Sequence, residues 1–277
     1  MTYLEIVAKF RQANVENAEW DALLLIERFC RLSREEVLRE PERSLCCNKL
    51  EEAVARRAAH FPLQYLLGEW QFYRQTYRVT PDCLIPRADT EILVEEAIRK
   101  LPENAFFADL CTGSGCIAVS VLCERKDTTA VAVDLSEKVL SIAAENAERN
   151  GVRDRLILRR ADLLLQPLTE WGAVLPKPAS ILSNPPYIRT GELANLSPEV
   201  GAEPRMALDG GEDGLIFYRK LLSIAREWLA PNGFCLFEIG YDQAESIRKL
   251  AAPQFASCRV LRDLGGNDRL AVLEKQN

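Results

Sequence analysis

The sequence predicts an α/β fold: a doubly wound sheet with an antiparallel C-terminal hairpin, preceded by a small all-α domain. Two observations carry this prediction. From about residue 86 onward, short apolar runs typical of buried strands alternate with helical segments, as they do around parallel sheets. Residues 1 to about 60 instead show helical periodicity. A chain of 277 residues is long enough for one large core and a small additional domain.

The N-terminal domain is predicted over residues 1–61 as a set of short amphipathic helices that dock a substrate. Two spacings typical of capping boxes, Ser33 with Glu36 and Asn48 with Glu51, mark helix starts. In a capping box, the first side chain and the third helical side chain satisfy backbone N–H groups that have no partner inside the helix. We therefore expect helices to begin just after Ser33 and just after Asn48.

The rest of the chain divides into a linker and the large α/β domain. Residues 62–85 contain Gly68 and an alternation of apolar side chains through Tyr77 and Val79, which predicts a hairpin linker. Residues 86–277 form the α/β domain. Near its end, strand-like residues 259–264 and 270–273 flank a Gly-Gly-Asn-Asp sequence, which predicts an antiparallel hairpin.

Composition excludes several classes of protein. No apolar stretch reaches the ~18 residues that span a bilayer, and the N-terminus lacks a secretory signal pattern, so we expect a cytoplasmic protein with no membrane partner. The 9 cysteines have no C-x-x-C spacing and are expected to be reduced. The single histidine, His60, argues against a histidine metal site or a Ser-His-Asp triad, so no metal is expected.

Charge argues against nucleic acid as a direct partner. The net charge is −6, and residues 1–80 carry equal numbers of acidic and basic side chains, so the whole negative excess falls on the remainder. Proteins that track duplex DNA usually present a basic face, because neutralising phosphates supplies most of their non-specific affinity. The small, neutral helical domain is better suited to docking a protein.

A glycine-rich turn predicts a cofactor site. Residues 106–119 (FFADLCTGSGCIAV) indicate a buried strand, a turn and a helix start. Gly113 and Gly115 permit positive φ and close backbone approach to a ligand, and the helix start suits an anionic group such as a carboxylate. Asp134 follows 19 residues after Gly115, at the end of another strand-like run. An acidic residue at that spacing is placed to accept hydrogen bonds from ribose hydroxyls.

The turn alone does not say which nucleoside-containing cofactor is bound. The third glycine of a dinucleotide fingerprint is missing. No G-x-x-x-x-G-K-[ST] motif for a nucleoside triphosphate occurs in the chain. S-adenosylmethionine fits what remains, with its adenosine at Asp134 and its amino-acid end at the loop from Asp109 to Gly115.

The tetrapeptide Asn184, Pro185, Pro186 and Tyr187 follows an apolar run and predicts a site for a planar NH2 group. The nitrogen of a conjugated NH2 is a poor nucleophile unless acceptors on its N–H bonds push electron density toward it. The Asn184 carboxamide and the carbonyl of Pro185 offer two such acceptors, and the prolines hold the backbone in a fixed direction. Tyr187 offers a flat stacking surface. The alternative is a Pro-Pro turn with Tyr187 in the core.

These two motifs resemble those of class I S-adenosylmethionine-dependent methyltransferases. More narrowly, they resemble the protein-glutamine N5-methyltransferases that modify peptide chain release factors, the HemK/PrmC family. Further stretches resemble the family in the same order along the chain, at residues 62–69, 84–91, 203–208 with 210–215, and 263–269. Within the second stretch, Arg87 is expected to pair with Asp89 or Glu91.

The resemblance implies a Rossmann-like, seven-stranded sheet and a set of site residues. Substrate contacts are implied at residues 184–187, with Asn184, Pro185 and Tyr187 catalytic. Cofactor contacts are implied at Cys111, Thr112, Gly113, Ser114, Gly115, Asp134, Leu163 and Asn184. The positions of Asp109, at the start of the glycine-rich turn, and of Asp162, after a strand-like run, add these two residues to the predicted cofactor site. Asp162 could accept from the adenine amino group or act as a helix N-cap.

Two of these positions depart from the family pattern. Cys111 stands where many relatives have glycine, which argues against a glycine-specific backbone there. Leu163 stands where some have tryptophan, which leaves an apolar contact without aromatic stacking.

The leading hypothesis from the resemblance is methyl transfer from S-adenosylmethionine to the glutamine side chain of the Gly-Gly-Gln motif of release factors, with S-adenosylhomocysteine as product. The enzyme is expected to be a monomer. Alternatives are glutamine methylation of a ribosomal protein and amino methylation of adenine or cytosine, because nucleobase NH2 groups pose the same electronic problem. A scaffold without catalysis is a third alternative.

Overall fold

A computed structural model describes residues 1–275, which form two compact units. The helices, in chain order, are α1 (Tyr3–Gln12), α2 (Ala18–Cys30), α3 (Arg34–Arg39), α4 (Asn48–Ala58), α5 (Leu63–Leu67), α6 (Glu91–Lys100), α7 (Cys116–Glu124), α8 (Glu137–Arg149), α9 (Leu168–Trp171), α10 (Pro198–Gly201), α11 (Ile216–Trp228) and α12 (Ala244–Ala251). The strands are β1 (Glu69–Phe72), β2 (Gln75–Arg78), β3 (Phe106–Leu110), β4 (Thr129–Asp134), β5 (Leu156–Arg160), β6 (Ser180–Ser183), β7 (Phe234–Glu238), β8 (Phe255–Arg262) and β9 (Asp268–Lys275).

The helical unit comprises residues 1–70 together with residues 196–202. The capping box predicted at Ser33 and Glu36 is present at the start of α3. The one predicted at Asn48 is wrong, because Asn48 is the first helical residue of α4 and Cys47 precedes it as the cap. An apolar core lies between the helices, with Ile6, Phe10, Leu25, Ile26, Leu50 and Val54 fully buried.

An ion cluster around the buried Arg57 holds residues 196–202 within this unit. The Arg57 guanidinium donates to Asp21 Oδ2 at 2.6 Å and to Glu199 Oε1 at 2.7 Å. Because an unpaired buried charge is costly, the two carboxylates stabilise Arg57 in its position. The bounds of the unit differ from residues 1–61 since Leu63, Leu67 and Trp70 pack on its core, and Glu199 joins from far along the chain.

The larger unit contains a seven-stranded sheet of order β5-β4-β3-β6-β7-β9-β8. The first five strands in that order are parallel, and β9 pairs antiparallel with both β7 and β8. This confirms the predicted doubly wound sheet with its antiparallel C-terminal hairpin. Side chains alternate between two apolar layers: Ala108 and Leu110 of β3 face one, and Phe107 faces the other.

The order of the strands places the site. The chain runs outward from β3 through β4 to β5, then crosses to β6 on the other side of β3. Open α/β sheets bind ligands beyond the carboxyl ends of the strands at such a reversal. Among residues 1–275, no helix combines the length and the apolar character needed to cross a bilayer.

Candidate active site

A cavity of about 450 Å³ lies beyond the carboxyl ends of β3, β4 and β6. Residues of the predicted cofactor and substrate motifs line it together. Of the predicted site residues, those that line the cavity are Cys111, Thr112, Gly113, Ser114, Asp134, Asp162, Leu163, Asn184 and Pro186. Four others (Asp109, Gly115, Pro185 and Tyr187) belong to the same loops but are not among the lining residues.

Residues 109–115, which we call the cofactor loop, connect β3 to α7. Gly113 and Gly115 have φ of 56° and 80°, as the glycine spacing predicts. A Cβ on Gly115 would lie 3.1 Å from the Cβ of Ala143, so the loop also packs closely on α8. Cys111 has φ of 60°. The expectation that its backbone would not be glycine-like is therefore wrong, and the surrounding contacts hold a cysteine in the left-handed region.

Asp109, the buried first residue of the cofactor loop, holds the rest of the loop from inside. Its Oδ2 accepts a hydrogen bond from Thr112 Oγ1 at 2.6 Å and another from the N–H of Ala118 at 3.2 Å. The side chain is fully buried, and burial raises the pKa of this carboxyl to about 7. Its position supports a structural role for Asp109 in shaping the loop.

Asp134, at the end of β4, presents a carboxylate to the cavity. Its Oδ2 accepts from the N–H of Gly113 at 3.0 Å, and its Oδ1 accepts from the N–H of Ser136 at 3.0 Å. Burial raises the pKa of Asp134. Each carboxylate oxygen accepts more than one hydrogen bond, so Asp134 keeps capacity for two ribose hydroxyls. This acceptor fits the adenosine part of the predicted cofactor.

Asp162 and Leu163 lie in the turn after β5. Asp162 Oδ1 accepts from the N–H groups of Leu164 and Leu165 at 2.9 and 3.1 Å, so one carboxylate oxygen holds the turn. The side chain thus acts as a cap of a turn, close to the N-cap alternative, and the same residue lines the cavity. Leu163 is buried and gives the cavity an apolar wall.

Residues 184–187, which we call the acceptor loop, follow β6. Asn184 lines the cavity and donates from Nδ2 to Thr90 Oγ1 at 3.2 Å. Tyr187 donates from its hydroxyl to Glu238 Oε1 at 3.4 Å, and its ring packs against the buried core. Burial and the nearby Glu238 charge raise the pKa of Tyr187.

The segment after the acceptor loop supports its backbone. Ile188 donates to the carbonyl of Leu208 at 3.0 Å, and Gly210 donates back to the carbonyl of Ile188 at 2.8 Å. A Cβ on Gly210 would lie 2.7 Å from Tyr187 Cα, so only glycine fits there without a shift. Gln243 Nε2 adds a hydrogen bond to the carbonyl of Tyr187 at 3.0 Å.

Sequence reasoning missed two buried polar groups behind the acceptor loop. Glu238 ends β7 and accepts from Thr90 Oγ1 at 2.6 Å, and both residues are buried. An acidic residue closing the apolar run Phe234–Glu238 was a detectable signal. The expected pairing of Arg87 with Asp89 or Glu91 is wrong: Arg87 pairs with Glu203, which also accepts from the N–H of Ile85 at 2.9 Å.

The site offers oxygen acceptors and apolar walls. Within residues 1–275, no group of three or more His, Cys, Asp or Glu side chains is arranged to hold a metal ion. A nucleoside at Asp134 and an NH2 group at Asn184 would reach the cavity from neighbouring strand ends. The arrangement therefore suits transfer of a group between a bound nucleoside cofactor and an amino group.

Comparison with known proteins gives two family matches. The model of the PrmC N-terminal domain matches residues 3–68, and the model of the methyltransferase small domain matches residues 88–221. A release factor glutamine methyltransferase of Geobacter sulfurreducens is 43% identical over 232 residues, covering 83% of this chain and 78% of the relative. One of Moorella thermoacetica is 39% identical over 272 residues, covering 96% and 94%.

Solved structures share the fold at lower identity. A methyltransferase from Pyrococcus furiosus has a TM-score of 0.51 at 17% identity, covering 81% of this chain and 96% of that one. At this identity the likeness concerns the fold alone.

Proposed function

Because the chain belongs to the release factor glutamine methyltransferase family, we propose that it transfers a methyl group from S-adenosylmethionine to the side-chain amide nitrogen of the glutamine in the Gly-Gly-Gln motif of peptide chain release factors. One observation supports this most. Asn184 lines the same cavity as the cofactor loop and Asp134. A side chain that can accept from an amide and a side chain that can accept from a nucleoside therefore face one cavity.

Residues of the cofactor loop and of β4 and β5 would hold the cofactor. Asp134 would accept hydrogen bonds from the ribose hydroxyls, and Leu163 would give the adenine an apolar wall. The backbone of Cys111, Thr112, Gly113 and Ser114 would hold the amino-acid end. When bound, S-adenosylmethionine supplies a methyl group on a positively charged sulfur, and transfer leaves neutral S-adenosylhomocysteine.

The acceptor loop prepares the nucleophile. The Oδ1 of Asn184 and the carbonyl of Pro185 accept from the two N–H bonds of the glutamine amide, which raises electron density on its nitrogen and fixes its direction. The nitrogen gains the methyl group and releases one proton to water. Most of the acceleration comes from alignment and exclusion of water, since the methyl donor is already a strong electrophile.

The choice of a protein substrate rests on charge and on the helical unit. The net charge of −6 disfavours nucleic acid. The helical unit matches the PrmC N-terminal domain and is the part of the chain that would dock the release factor.

We predict that Asn184→Ala lowers the rate of methyl transfer by ~10²-fold or more, the scale of losing a positioned transition-state partner. Cofactor affinity measured by calorimetry should stay within a few-fold of wild type, because Asp134 and Leu163 are unchanged. An Asn184→Ala enzyme with the wild-type rate would remove Asn184 from the mechanism.

The acceptor class is tested by incubating the enzyme and tritiated cofactor separately with a full-length release factor, ribosomal proteins and nucleic acid. Label is expected in the release factor. A release factor whose Gly-Gly-Gln glutamine is replaced by alanine should take up none. Label only in ribosomal protein or in nucleic acid would select one of those alternatives, and no label in any pool would favour a scaffold without catalysis.

A further inference from the structure

Behind the acceptor loop, three side chains form a chain of hydrogen bonds that leads away from the cavity. Asn184 Nδ2 donates to Thr90 Oγ1 at 3.2 Å, and Thr90 Oγ1 donates to Glu238 Oε2 at 2.6 Å. Thr90 and Glu238 are each only 2% exposed. The other carboxylate oxygen of Glu238 accepts from the Tyr187 hydroxyl at 3.4 Å.

The direction of this chain follows from the donors available. A threonine hydroxyl has one hydrogen, and an ionised carboxylate can only accept. When Glu238 is ionised, the Thr90 hydroxyl must donate its hydrogen to Glu238, so its oxygen can only accept from Asn184. The NH2 group of Asn184 therefore faces Thr90, which turns the carboxamide oxygen away from Thr90 and leaves it free for the glutamine amide.

We propose that Thr90 and Glu238 are positioning residues, which fix the Asn184 carboxamide with its oxygen toward the substrate whenever Glu238 is ionised. This inference rests on the proposed function for its catalytic consequence. Protonation of Glu238 removes this constraint on the Thr90 hydroxyl. A neutral carboxyl can donate to Thr90, whose hydrogen is then free to point at Asn184, and the carboxamide loses its enforced orientation.

The surroundings of Glu238 place this change near neutral pH. Burial raises its pKa to about 7; the hydrogen bond from Thr90, the positive charge of Arg269 and the Tyr187 hydroxyl lower it, and the negative charge of Asp89 raises it. Two further titratable groups face Glu238 from α7 and α11, namely Cys116 and Tyr218. The Tyr218 hydroxyl donates to the backbone carbonyl of Glu238 at 2.8 Å.

Substitutions of Thr90 test the chain of hydrogen bonds. Thr90→Val keeps the shape and removes the hydroxyl, and we expect kcat on a full-length release factor to fall about tenfold, the scale of one hydrogen bond. KM for the release factor and cofactor affinity should not change. Thr90→Ser restores the hydroxyl and should recover kcat to within about twofold.

Ser120→Ala is the matched control. Ser120 forms an equally short buried hydrogen bond with the Tyr77 hydroxyl, at 2.6 Å, on α7. Its loss should lower thermal stability and leave kcat unchanged. Equal kcat for Thr90→Val and wild type, or equal losses of kcat in Thr90→Val and Ser120→Ala, would overturn the proposal.

The dependence on pH separates positioning from a purely structural role. Wild-type kcat should rise with pH through about 7 as Glu238 ionises, whereas Glu238→Gln should be slow and lack this transition. A Glu238→Gln enzyme that retains the wild-type transition would contradict the proposal.

A measurement without substrate makes the proposal independent of the reaction. In deuterated, ¹⁵N-labelled protein, the side-chain NH2 resonances of Asn184, assigned by their loss in Asn184→Asp, should shift with the same midpoint as kcat. They should not titrate in Glu238→Gln. A wild-type enzyme that methylates no release factor would overturn the proposed function, whereas an Asn184 resonance that does not titrate in wild type would overturn the positioning role.

Discussion

The cofactor loop and the acceptor loop end neighbouring parallel strands, yet they are held in different ways. In the cofactor loop, Asp109 bonds to Thr112 and Ala118, which lie within nine residues of it along the chain. The acceptor loop is held by Thr90, 94 residues before Asn184, and by Gln243, 56 residues after Tyr187. The cofactor loop is held by its own residues and by Asp134, 21 residues beyond Gly113, whereas the supports of the acceptor loop lie farther away along the chain.

The difference teaches which changes should affect which step. Because the contacts named here for the cofactor loop do not involve the acceptor loop, changes in the cofactor loop should alter cofactor affinity or local stability and leave the amide site intact. Changes to the distant residues that hold the acceptor loop should slow methyl transfer without lowering the affinity for the cofactor.

Gly210→Ala should displace the acceptor loop, although Gly210 comes later in the chain than this loop. The new Cβ would lie 2.7 Å from Tyr187 Cα and 2.9 Å from the carbonyl oxygen of Pro186, so the loop must move. A displacement of about 1 Å at a reacting group costs up to ~10²-fold in rate, and we expect kcat to fall on that scale with cofactor affinity unchanged.

The control for this change is Gly191→Ala, at a glycine whose added Cβ would meet no atom within 4 Å. It should leave single-turnover rates unchanged. A wild-type kcat in Gly210→Ala would mean that the segment after the acceptor loop, which contains Gly210, does not position that loop.

Asp134→Asn should lower the affinity for the cofactor. The substituted NH2 must face a backbone N–H at Gly113 or Ser136, and one charged acceptor is lost. A hydrogen bond to a charged group contributes about 1.5 kcal/mol or more, so calorimetry should find an affinity roughly tenfold lower, with kcat at saturating cofactor little changed. Glu137→Gln, the control, removes a neighbouring exposed charge and should change neither cofactor affinity nor kcat.

Asp109→Asn should change how stability depends on pH. The folded carboxyl titrates near 7 and the unfolded one near 4, so the folded state binds more protons between these values. The free energy of unfolding of the wild type therefore falls as pH rises through this window. Removing the charge should make Asp109→Asn more stable than wild type at pH ~8 by roughly 1 kcal/mol, with a smaller difference at pH ~5. Denaturant unfolding at both pH values measures this, and an equal difference at both would refute it.

Cys111 provides the smallest and most local test. Its φ of 60° strains any side chain, so Cys111→Gly should be more stable than Cys111→Ala. The strain relieved exceeds the entropy that glycine adds to the unfolded chain, leaving roughly 0.5 kcal/mol. Thermal unfolding of the two variants gives the comparison, and a more stable alanine variant would mean that the loop relaxes around position 111.

How much the sequence could predict follows the same division. Gly113 and Asp134 line the cavity and Gly115 lies in the same loop, because a strand, a turn and a helix start determine their positions. The asparagine of the acceptor loop could be found from its chemistry. Its supports could not, because Thr90 and Glu238 meet only after α6, β6 and β7 have assembled.

Long-range ion pairs were equally hidden. Arg87 has two acidic neighbours in sequence, yet it pairs with Glu203, 116 residues away. A buried carboxylate gains more from a guanidinium than an exposed one does, and burial is decided by tertiary structure. Residues 196–202 join the helical unit through a similar long-range pair, in which Glu199 accepts from the buried guanidinium of Arg57.

The central claim is that the acceptor loop presents a glutamine amide to the methyl donor. The most direct measurement is tandem mass spectrometry of a release factor treated with cofactor and either wild-type or Asn184→Ala enzyme. We expect one methyl group on the side-chain nitrogen of the Gly-Gly-Gln glutamine with wild type and almost none with the variant in the same time. A methyl group on any other residue, or equal methylation by both enzymes, would contradict it.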